Sequence, residues 1–390
     1  MTDAPAASQA IAPAARPTIP PERFKQRLER AASAATEHGV EALLIGVGSD
    51  LRYLTGYAAM PLERLTMLVI SPGRDPFIVV PRLERGAAEA GVHTAVDIVT
   101  WDETDDPYAL AVRDLRARRV GVSDTMLAMH LLRLQAALGP AVEFSLASTV
   151  LRDLRMIKDP DEIALLRLAA QAADRVVGQI AAGRLIGRTE ADVAREVRDR
   201  LVAEGHDESL FAIVGSGPNS ASPHHEASER VIEAGEPIVL DIGGTLGGYG
   251  SDITRTLWVT GGDPAAGPDE RFRHLFAVLQ GAQEAATRAV RPGVACAAID
   301  AAARAPIEAE GYGEGFFHRT GHGIGLEGHE DPYLVVGNEL PLRPGMAFSV
   351  EPGIYLPGEY GARIEDIAVC GDDGPIVLNE APRALYVVDG

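Results

Sequence analysis

The sequence predicts an α/β (α+β) protein of two domains, on three observations. Its 390 residues exceed what one hydrophobic core usually holds. In roughly the first 150 residues, short apolar runs alternate with helical patterns, which is typical of an α/β domain. After a long helical pattern that starts at Pro160, glycine-rich stretches separate β-branched runs, which indicates hairpins.

Helices and strands alternate in the first domain. A helical period runs from Pro21 to Gly39. Three apolar runs predict buried strands, and a later apolar pattern predicts a further helix: "EALLIG", "LTMLVI", "FIVV" and "MLAMHLLRLQAAL". Alanine, proline and serine dominate residues 1–20, which predicts a disordered tail.

The domain boundary is predicted near residue 152, just before the long helical pattern. Asp159 and Pro160 fit the N-terminus of that helix. The predicted organisation is therefore a tail over 1–20, a first domain over 21–151 and a second over 152–390.

Composition restricts the classes of function. With 36 basic and 56 acidic side chains the net charge is −20, which argues against a nucleic-acid partner. The two cysteines, Cys296 and Cys370, form no C-x-x-C pair, which favours a reducing compartment. The N-terminus lacks a signal-peptide pattern, and no apolar run reaches membrane-spanning length. We therefore expect a cytoplasmic protein without a membrane partner.

One predicted hairpin carries two aspartates. In "PIVLDIGGTLGGYGSDITRTLWV", Asp241 is expected to end the first strand and Asp252 to open the second, so that the hairpin brings both carboxylates together. Aspartate is rare in strands, and a buried carboxylate must be paired, hydrogen-bonded or bound to a metal. A turn cap would explain one of the two residues only.

A second predicted hairpin, "MAFSVEPGIYLPGEYGARIEDIAVC", repeats the arrangement. Glu351 is expected to end its first strand, while Arg363 and Glu365 lie two apart in the second and share a face. The similarity of the two hairpins suggests an internal duplication.

Four converging carboxylates would repel each other unless cations neutralised them. Two divalent ions would balance four negative charges, and oxygen ligands with one imidazole suit Mn²⁺, or alternatively Co²⁺, Fe²⁺ or Zn²⁺. His322, in "HRTGHGIGLEGHEDP", can supply the imidazole, and its glycines would let the backbone approach the metals. His329, and the pair His224 and His225, would then serve substrate binding or proton transfer.

Four segments resemble, in order, the pita-bread metallopeptidases of the Xaa-Pro aminopeptidase and Xaa-Pro dipeptidase (prolidase) branch: "DIGGTLGGYGSDITRT", "TGHGIGLEGHEDP", "SVEPGIY" and "ARIEDIAV". The first part, with "LRYLTGYAAM", resembles the creatinase-type N-terminal domain of this branch. The resemblance implies a creatinase-like α/β domain followed by a pita-bread domain with internal pseudo-two-fold symmetry.

The resemblance also implies roles for single residues. It implies five metal ligands, of which Asp252 and Glu365 would bridge two ions: Asp241, Asp252, His322, Glu351 and Glu365. His224 and His329 match the two active-site histidines, and Arg363 matches the arginine beside the last ligand. His225 has no counterpart among these roles.

The function implied is hydrolysis of the bond between a first residue and proline, by a hydroxide held between the two metals. Glu351 would transfer protons, helped by His329 and Arg363, and His224 or His329 would stabilise the oxyanion. A proline-containing peptide is the expected substrate, and a homodimer or homotetramer the expected assembly. Dipeptidase and aminopeptidase activity remain alternatives, as do a metal-independent creatinase-like amidinohydrolase and a non-catalytic binding protein.

Overall fold

The structure is a computed structural model that describes residues 16–390, and these divide into two compact units. One unit covers Ile19–Arg155, and the other holds Met156–Gly390 together with residues 16–18. The predicted boundary after residue 151 falls inside a helix, Ser148–Met156. Residues 1–15 of the predicted tail lie outside the described residues, while Arg16 donates a hydrogen bond to Asp207 at 2.6 Å.

The N-terminal unit contains one six-stranded sheet and six helices. The strands are β1 (Ala42–Ile45), β2 (Met67–Ile70), β3 (Phe77–Pro81), β4 (Asp97–Trp101), β5 (Arg119–Val122) and β6 (Glu143–Leu146). The helices are α1 (Pro21–Glu37), α2 (Ser49–Thr55), α3 (Arg85–Gly91), α4 (Pro107–Ala111), α5 (Ala128–Leu138) and α6 (Ser148–Met156). The strand order is β4-β3-β2-β1-β5-β6, with β2 antiparallel to both neighbours and the other pairs parallel.

The C-terminal unit contains four long helices and eleven strands. The helices are α7 (Pro160–Ala181), α8 (Glu190–Ala203), α9 (Glu270–Ala289) and α10 (Cys296–Ala309). The strands are β7 (Glu208–Ser216), β8 (Glu236–Leu246), β9 (Tyr249–Val259), β10 (Gly321–Gly323), β11 (Glu330–Leu334), β12 (Ala347–Val350), β13 (Gly353–Leu356), β14 (Tyr360–Arg363), β15 (Asp366–Cys370), β16 (Pro375–Val377) and β17 (Tyr386–Val388). Short 3₁₀ helices occur in this unit at Gly217–Ala221, Pro264–Ala266 and Gly313–Gly315, and in the N-terminal unit at Arg82–Glu84.

Helix α7 begins where the sequence predicted. Asp159 caps it, Pro160 occupies the first turn, and Glu162 completes a capping box by bonding back to the backbone of Asp159. The described helices include none long and apolar enough to cross a membrane.

The C-terminal unit repeats one order of elements. Helices α7 and α8 precede strands β7 to β9, and α9 and α10 precede strands β10 to β15. Apolar side chains of α7 and α8 pack on β7 to β9, while those of α9 and α10 pack against β12, β14 and β15. This repeat is the predicted internal pseudo-two-fold arrangement. The two halves meet at a bridge between Thr254 and Glu365.

The first hairpin is longer than predicted. Strands β8 and β9 have eleven residues each and stay paired up to Leu246 and Tyr249, so Asp241 and Asp252 lie within the strands and not at their ends. Only Gly247 and Gly248 form the turn, with φ of +60° and +86°. The prediction assigned the glycines of β8 and β9 to the turn, whereas the structure places them within the strands. At Gly244 a side chain would overlap the Glu208 carbonyl, which explains glycine inside the strand.

The second predicted hairpin is wrong in its topology. Four strands replace the expected two. Strands β12 and β15 pair with each other, and the chain between them forms a separate small hairpin of β13 and β14. Glu351 follows β12 as predicted, but Arg363 ends β14 and Glu365 lies between β14 and β15.

Candidate metal centre

Asp241 and Asp252 lie on one face of the β8–β9 ladder. Asp241 is paired with Thr254, and Asp252 is paired with Gly243, so the two carboxylates are diagonal neighbours. Both residues are buried, with 7% and 5% of their surface exposed. The long ladder thus holds two carboxylates side by side in the interior.

Glu365 reaches the same face from the other half of the repeat. Its backbone N–H donates to Thr254, and its Oε2 accepts a 2.7 Å hydrogen bond from the Thr254 hydroxyl. Glu351 approaches from the end of β12, where Oε1 accepts a 3.0 Å bond from the Ser349 hydroxyl. Four carboxylates therefore converge, as the sequence predicted.

His322 faces these carboxylates from strand β10. Its Nδ1 lies 3.1 Å from the Gly323 carbonyl, so this nitrogen carries the proton. Its Nε2 lies 3.2 Å from Glu351 Oε1 and 3.6 Å from Asp252 Oδ2. Nε2 is therefore the nitrogen directed at the carboxylates, which is the arrangement of a metal-binding histidine whose other nitrogen is held by the backbone.

The glycines beside His322 have a structural cause that the sequence did not predict. A Cβ at Gly321 would overlap the Ser349 carbonyl, and one at Gly323 would overlap the Asp331 carbonyl. The neighbouring strands thus come too close for any side chain at either position. Close packing of β10 between its neighbours explains these glycines, and the expectation that they let the backbone approach the metals stays a prediction.

Donor atoms of these side chains form three groups, in each of which all atoms lie within 4.8 Å of one another. The groups are Asp241, Asp252 and Glu365; His322, Glu351 and Glu365; and Asp252, His322 and His329. Glu365 belongs to the first two groups, which places it between two possible ion positions. All of these residues line a cavity of about 730 Å³.

Burial and mutual repulsion perturb the carboxylates. Burial, followed by the charge of Asp241, raises the pKa of Asp252 well above its usual range; burial and Asp252 do the same for Glu365. Burial also raises the pKa of Asp241, although Arg363 opposes it. Glu351 differs: burial is the largest effect and opposes its ionisation, but the hydrogen bond from His322 and the nearby positive charges together exceed burial and lower its pKa to about 2.

The other two predicted histidines also line the cavity. The imidazole rings of His329 and His322 have centroids 3.8 Å apart, and Arg319 donates to His329 Nδ1 at 3.1 Å. Partial burial and the nearby cationic groups of His322 and Arg319 lower the pKa of His329 to about 4. His329 is thus neutral at pH 7, with its proton on Nε2. His224 is exposed at the cavity wall.

Arg363 is buried, and its guanidinium donates four hydrogen bonds. Nη2 donates to Asp241 Oδ2 at 2.6 Å and to the Pro223 carbonyl at 3.2 Å. Nη1 donates to the Tyr355 hydroxyl at 2.7 Å, and Nε donates to Thr254 at 3.0 Å. These contacts make Arg363 the side chain that orients Asp241.

The sequence analysis assigned no role to three residues of the cavity wall and to one residue that hydrogen-bonds a candidate ligand. His318 lies in the cavity wall, where its Nε2 is 3.0 Å from the Tyr355 hydroxyl. Phe211 and Phe317 line the same wall, and Thr254 holds Glu365. Sequence spacing carries a signal for Thr254 alone, since it lies two residues after Asp252 on the same strand face.

Two family models match this chain. Residues 164–372 match the family model described as metallopeptidase family M24. The chain belongs to this family. Residues 27–157 of this M24 peptidase match the creatinase/prolidase N-terminal domain. The predicted resemblance and the predicted two-part fold are therefore confirmed.

Three similar proteins illustrate the relationship. The M24 peptidase is 47% identical to a probable dipeptidase PepE from Mycobacterium tuberculosis, over 94% of this chain and 97% of the relative. The crystal structure of dipeptidase PepE from Mycobacterium ulcerans is similar, with a TM-score of 0.87 and 46% identity over 95% and 99% of the two chains. A prolidase structure from Thermococcus sibiricus has a TM-score of 0.87 and 34% identity, over 94% and 99%.

Proposed function

We propose that this M24 peptidase hydrolyses the bond between an N-terminal residue and proline, using two divalent cations. The observation that carries the proposal is the convergence of the donor groups in one cavity, in overlapping groups that share Glu365. The family match makes the chain a metallopeptidase, and the names of its relatives, dipeptidase and prolidase, support the Xaa-Pro bond as the target.

The side chains fit a pair of cations. Asp241 Oδ2 is taken by Arg363, whereas its Oδ1 is buried and has no hydrogen-bond partner among the described residues. An oxygen left in this state costs free energy unless a cation or water contacts it. Burial, followed by the neighbouring carboxylates, raises the pKa values of Asp252 and Glu365, and a bound cation would offset both effects.

We assign as the residues that would hold the ions the five that the sequence resemblance implied: Asp241, Asp252, His322, Glu351 and Glu365. Hard carboxylate oxygens with one imidazole suit Mn²⁺, with Co²⁺, Fe²⁺ or Zn²⁺ as alternatives. Two such ions would lower the pKa of a bound water and polarise the scissile carbonyl.

The proposed roles of the protein side chains follow from their protonation. Glu351, ionised at neutral pH, accepts the proton of the attacking water and passes it to the proline nitrogen as the C–N bond breaks. That nitrogen has no N–H in the peptide, so it leaves as a secondary amine only after protonation. His329 lines the cavity and carries its proton on Nε2, so it can donate to the developing oxyanion, as can His224.

The cavity wall suits a proline ring. Phe211, Ile213 and Phe317 add apolar surface to an otherwise charged site. Phe211 and Ile213 lie on β7, and Phe317 lies in the loop before β10, so two separate parts of the chain supply this apolar surface. An apolar ring without a hydrogen-bond donor loses little by entering such a wall.

A paired assay tests the proposal. The protein is stripped with chelator, supplied with Mn²⁺ and offered Ala-Pro, Ala-Pro-Ala and Ala-Ala; the Asp252→Asn variant serves as the control without a complete ligand set. Cleavage of Ala-Pro alone identifies a prolidase, and cleavage of the tripeptide as well identifies an Xaa-Pro aminopeptidase. Failure to cleave either proline peptide, or equal cleavage of Ala-Ala, contradicts the proposal. The implied homodimer or homotetramer stays a prediction, which light scattering of the full chain tests.

A further inference from the structure

The segment that carries His224 has no strand or α-helix of its own. Residues 217–228, here called the His224 segment, contain one short 3₁₀ helix and otherwise turns and coil. Most of its side chains, His224 included, are partly or fully exposed. A catalytic side chain on such a segment keeps a defined position only if other contacts fix the backbone on both sides of it.

Glu190 provides those contacts from the first turn of α8. Its side chain is fully buried, and its two carboxylate oxygens accept hydrogen bonds from Ser216, which precedes the His224 segment, and from residues within the segment. Oε1 accepts from the backbone N–H and hydroxyl of Ser216, both at 2.8 Å, and from Asn219 at 3.0 Å. Oε2 accepts from the Ser228 hydroxyl at 2.7 Å and its backbone N–H at 3.1 Å.

His225 is the contact next to the catalytic position. Its Nε2 lies 2.7 Å from Glu190 Oε2. On the other side of His224, the Pro223 carbonyl accepts a 3.2 Å bond from Arg363, which also holds Asp241. His224 thus lies between two anchored neighbours, one tied to α8 and the other to the candidate metal centre.

We propose that Glu190 and His225 are positioning residues that hold His224 at the cavity wall. This inference rests on the proposed function for the role of His224 in catalysis. The two adjacent histidines then have separate tasks, since His224 lines the cavity while His225 points away from it to α8. The six donor groups around Glu190 make the carboxylate hard to replace, because an amide would present N–H groups to donors that need an acceptor.

The contacts with Glu190 predict which part of the His224 segment becomes more mobile when they are lost. The 3₁₀ helix has a contact of its own, since the Ser220 hydroxyl accepts from the Gly361 backbone at 2.8 Å. Residues 222–228 depend on Glu190 through His225 and Ser228. Loss of the carboxylate contact should therefore free residues 222–228 more than residues 217–221.

The test compares His225→Ala, His225→Gln and Glu190→Gln with two matched controls. His274→Ala removes a histidine from an exposed pair with Glu310, and Glu196→Gln changes another α8 carboxylate, which pairs with Arg188 and Arg200. Hydrogen exchange of the metal-free chains, followed by mass spectrometry, should increase over residues 222–228 in His225→Ala and Glu190→Gln and stay unchanged in the controls. His225→Gln, which can still donate to Glu190, should restore part of the protection.

Kinetics with an Xaa-Pro dipeptide separate positioning from general damage. His225→Ala should lower kcat/KM by about 10- to 100-fold, the order expected for misplacing one catalytic group. The double variant His224→Ala/His225→Ala should be no slower than His224→Ala alone, because His225 acts through His224. Two results would overturn the inference. One is a double variant whose loss of kcat/KM equals the product of the two single losses. The other is a His225→Ala protein in which residues 222–228 exchange hydrogen as slowly as in the wild type. A wild-type chain that cleaves no Xaa-Pro peptide contradicts the proposed function instead, and the exchange measurement still tests the anchoring.

Discussion

Arg363 and Asp241 form a buried ion pair in which only one carboxylate oxygen is used. Nη2 of Arg363 lies 2.6 Å from Asp241 Oδ2, while Oδ1 has no partner among residues 16–390. The arginine thus fixes the plane of the carboxylate and leaves one oxygen for a cation. The pairing joins β14 to β8 and so connects the two halves of the repeat at the candidate metal centre.

Replacing this arginine should weaken metal binding. In Arg363→Lys the ammonium cannot reproduce the four directed hydrogen bonds, so Asp241 loses its fixed orientation. We expect Mn²⁺ affinity to fall by about 10- to 100-fold, the range typical for loss of a group that orients a ligand. Competition with a chromophoric chelator measures the affinity. Arg271→Lys, in an exposed pair with Glu359, is the control, and an equal loss in both variants would contradict the role of Arg363.

Neutralising one carboxylate should stabilise the metal-free protein. Asp252 and Glu365 have raised pKa values, so each binds protons more tightly in the folded state and costs stability when ionised at neutral pH. Two like charges about 4 Å apart repel by about 4 kcal/mol at an effective dielectric constant of about 20, so Asp252→Asn should gain part of that amount.

Urea unfolding at pH 7 with chelator measures this gain. The order of stability should reverse when Mn²⁺ is added, because the wild type then binds the ions and the variant lacks one ligand. A metal-free Asp252→Asn protein that is less stable than the wild type would count against repulsion within the cluster.

A buried histidine outside the cavity should make stability depend on pH. Burial lowers the pKa of His206 to about 4, while its Nε2 lies 2.7 Å from the Ser251 hydroxyl. Between about pH 6.5 and 4 the unfolded chain binds a proton that the folded chain does not, so stability falls as the pH drops through this window. The shift from 6.5 to about 4 corresponds to about 3 kcal/mol.

The free energy of unfolding of the metal-free protein, followed from pH 7 to 4, tests this expectation. His206→Gln should have a shallower pH dependence than the wild type across that window. His38→Gln, at an exposed position, should leave the slope unchanged. Identical slopes for the wild type and His206→Gln would rule out His206 as the cause.

Replacing the glycines near His322 by alanine should change the stability of the protein to very different extents. Gly323→Ala would place a methyl group on the Asp331 carbonyl, and we expect a loss of about 1–3 kcal/mol or more of unfolding free energy. Gly328 is a control from the same stretch, because a Cβ there meets no atom within 4 Å. Thermal melts of Gly323→Ala and Gly328→Ala should separate clearly, and similar melting temperatures would contradict the packing explanation.

Local chemistry in the sequence was sufficient for a large part of this description. The capping residues of α7, the alternation in the first unit and the carboxylates of the two repeats follow from short-range preferences, which depend on neighbouring residues alone. The ligand types also follow from chemistry, since converging carboxylates and an imidazole suit divalent cations.

Strand length and strand pairing were decided by tertiary contacts. The glycines of β8 suggest a long turn in isolation, but at Gly243 and Gly244 they lie where another backbone or ring leaves no room for a Cβ. The hairpin β13–β14 likewise replaces what looked like a single turn, since its register depends on partners that a linear pattern does not specify.

The sequence by itself determined which side chains could act, and the tertiary structure decided what each of them does. His224 and His225 are adjacent and chemically identical, yet one lines the cavity and the other bonds to Glu190, 35 residues away. Arg363 reaches Asp241 across 122 residues. Such roles depend on which distant backbone each side chain meets after folding, and no local preference encodes that distance.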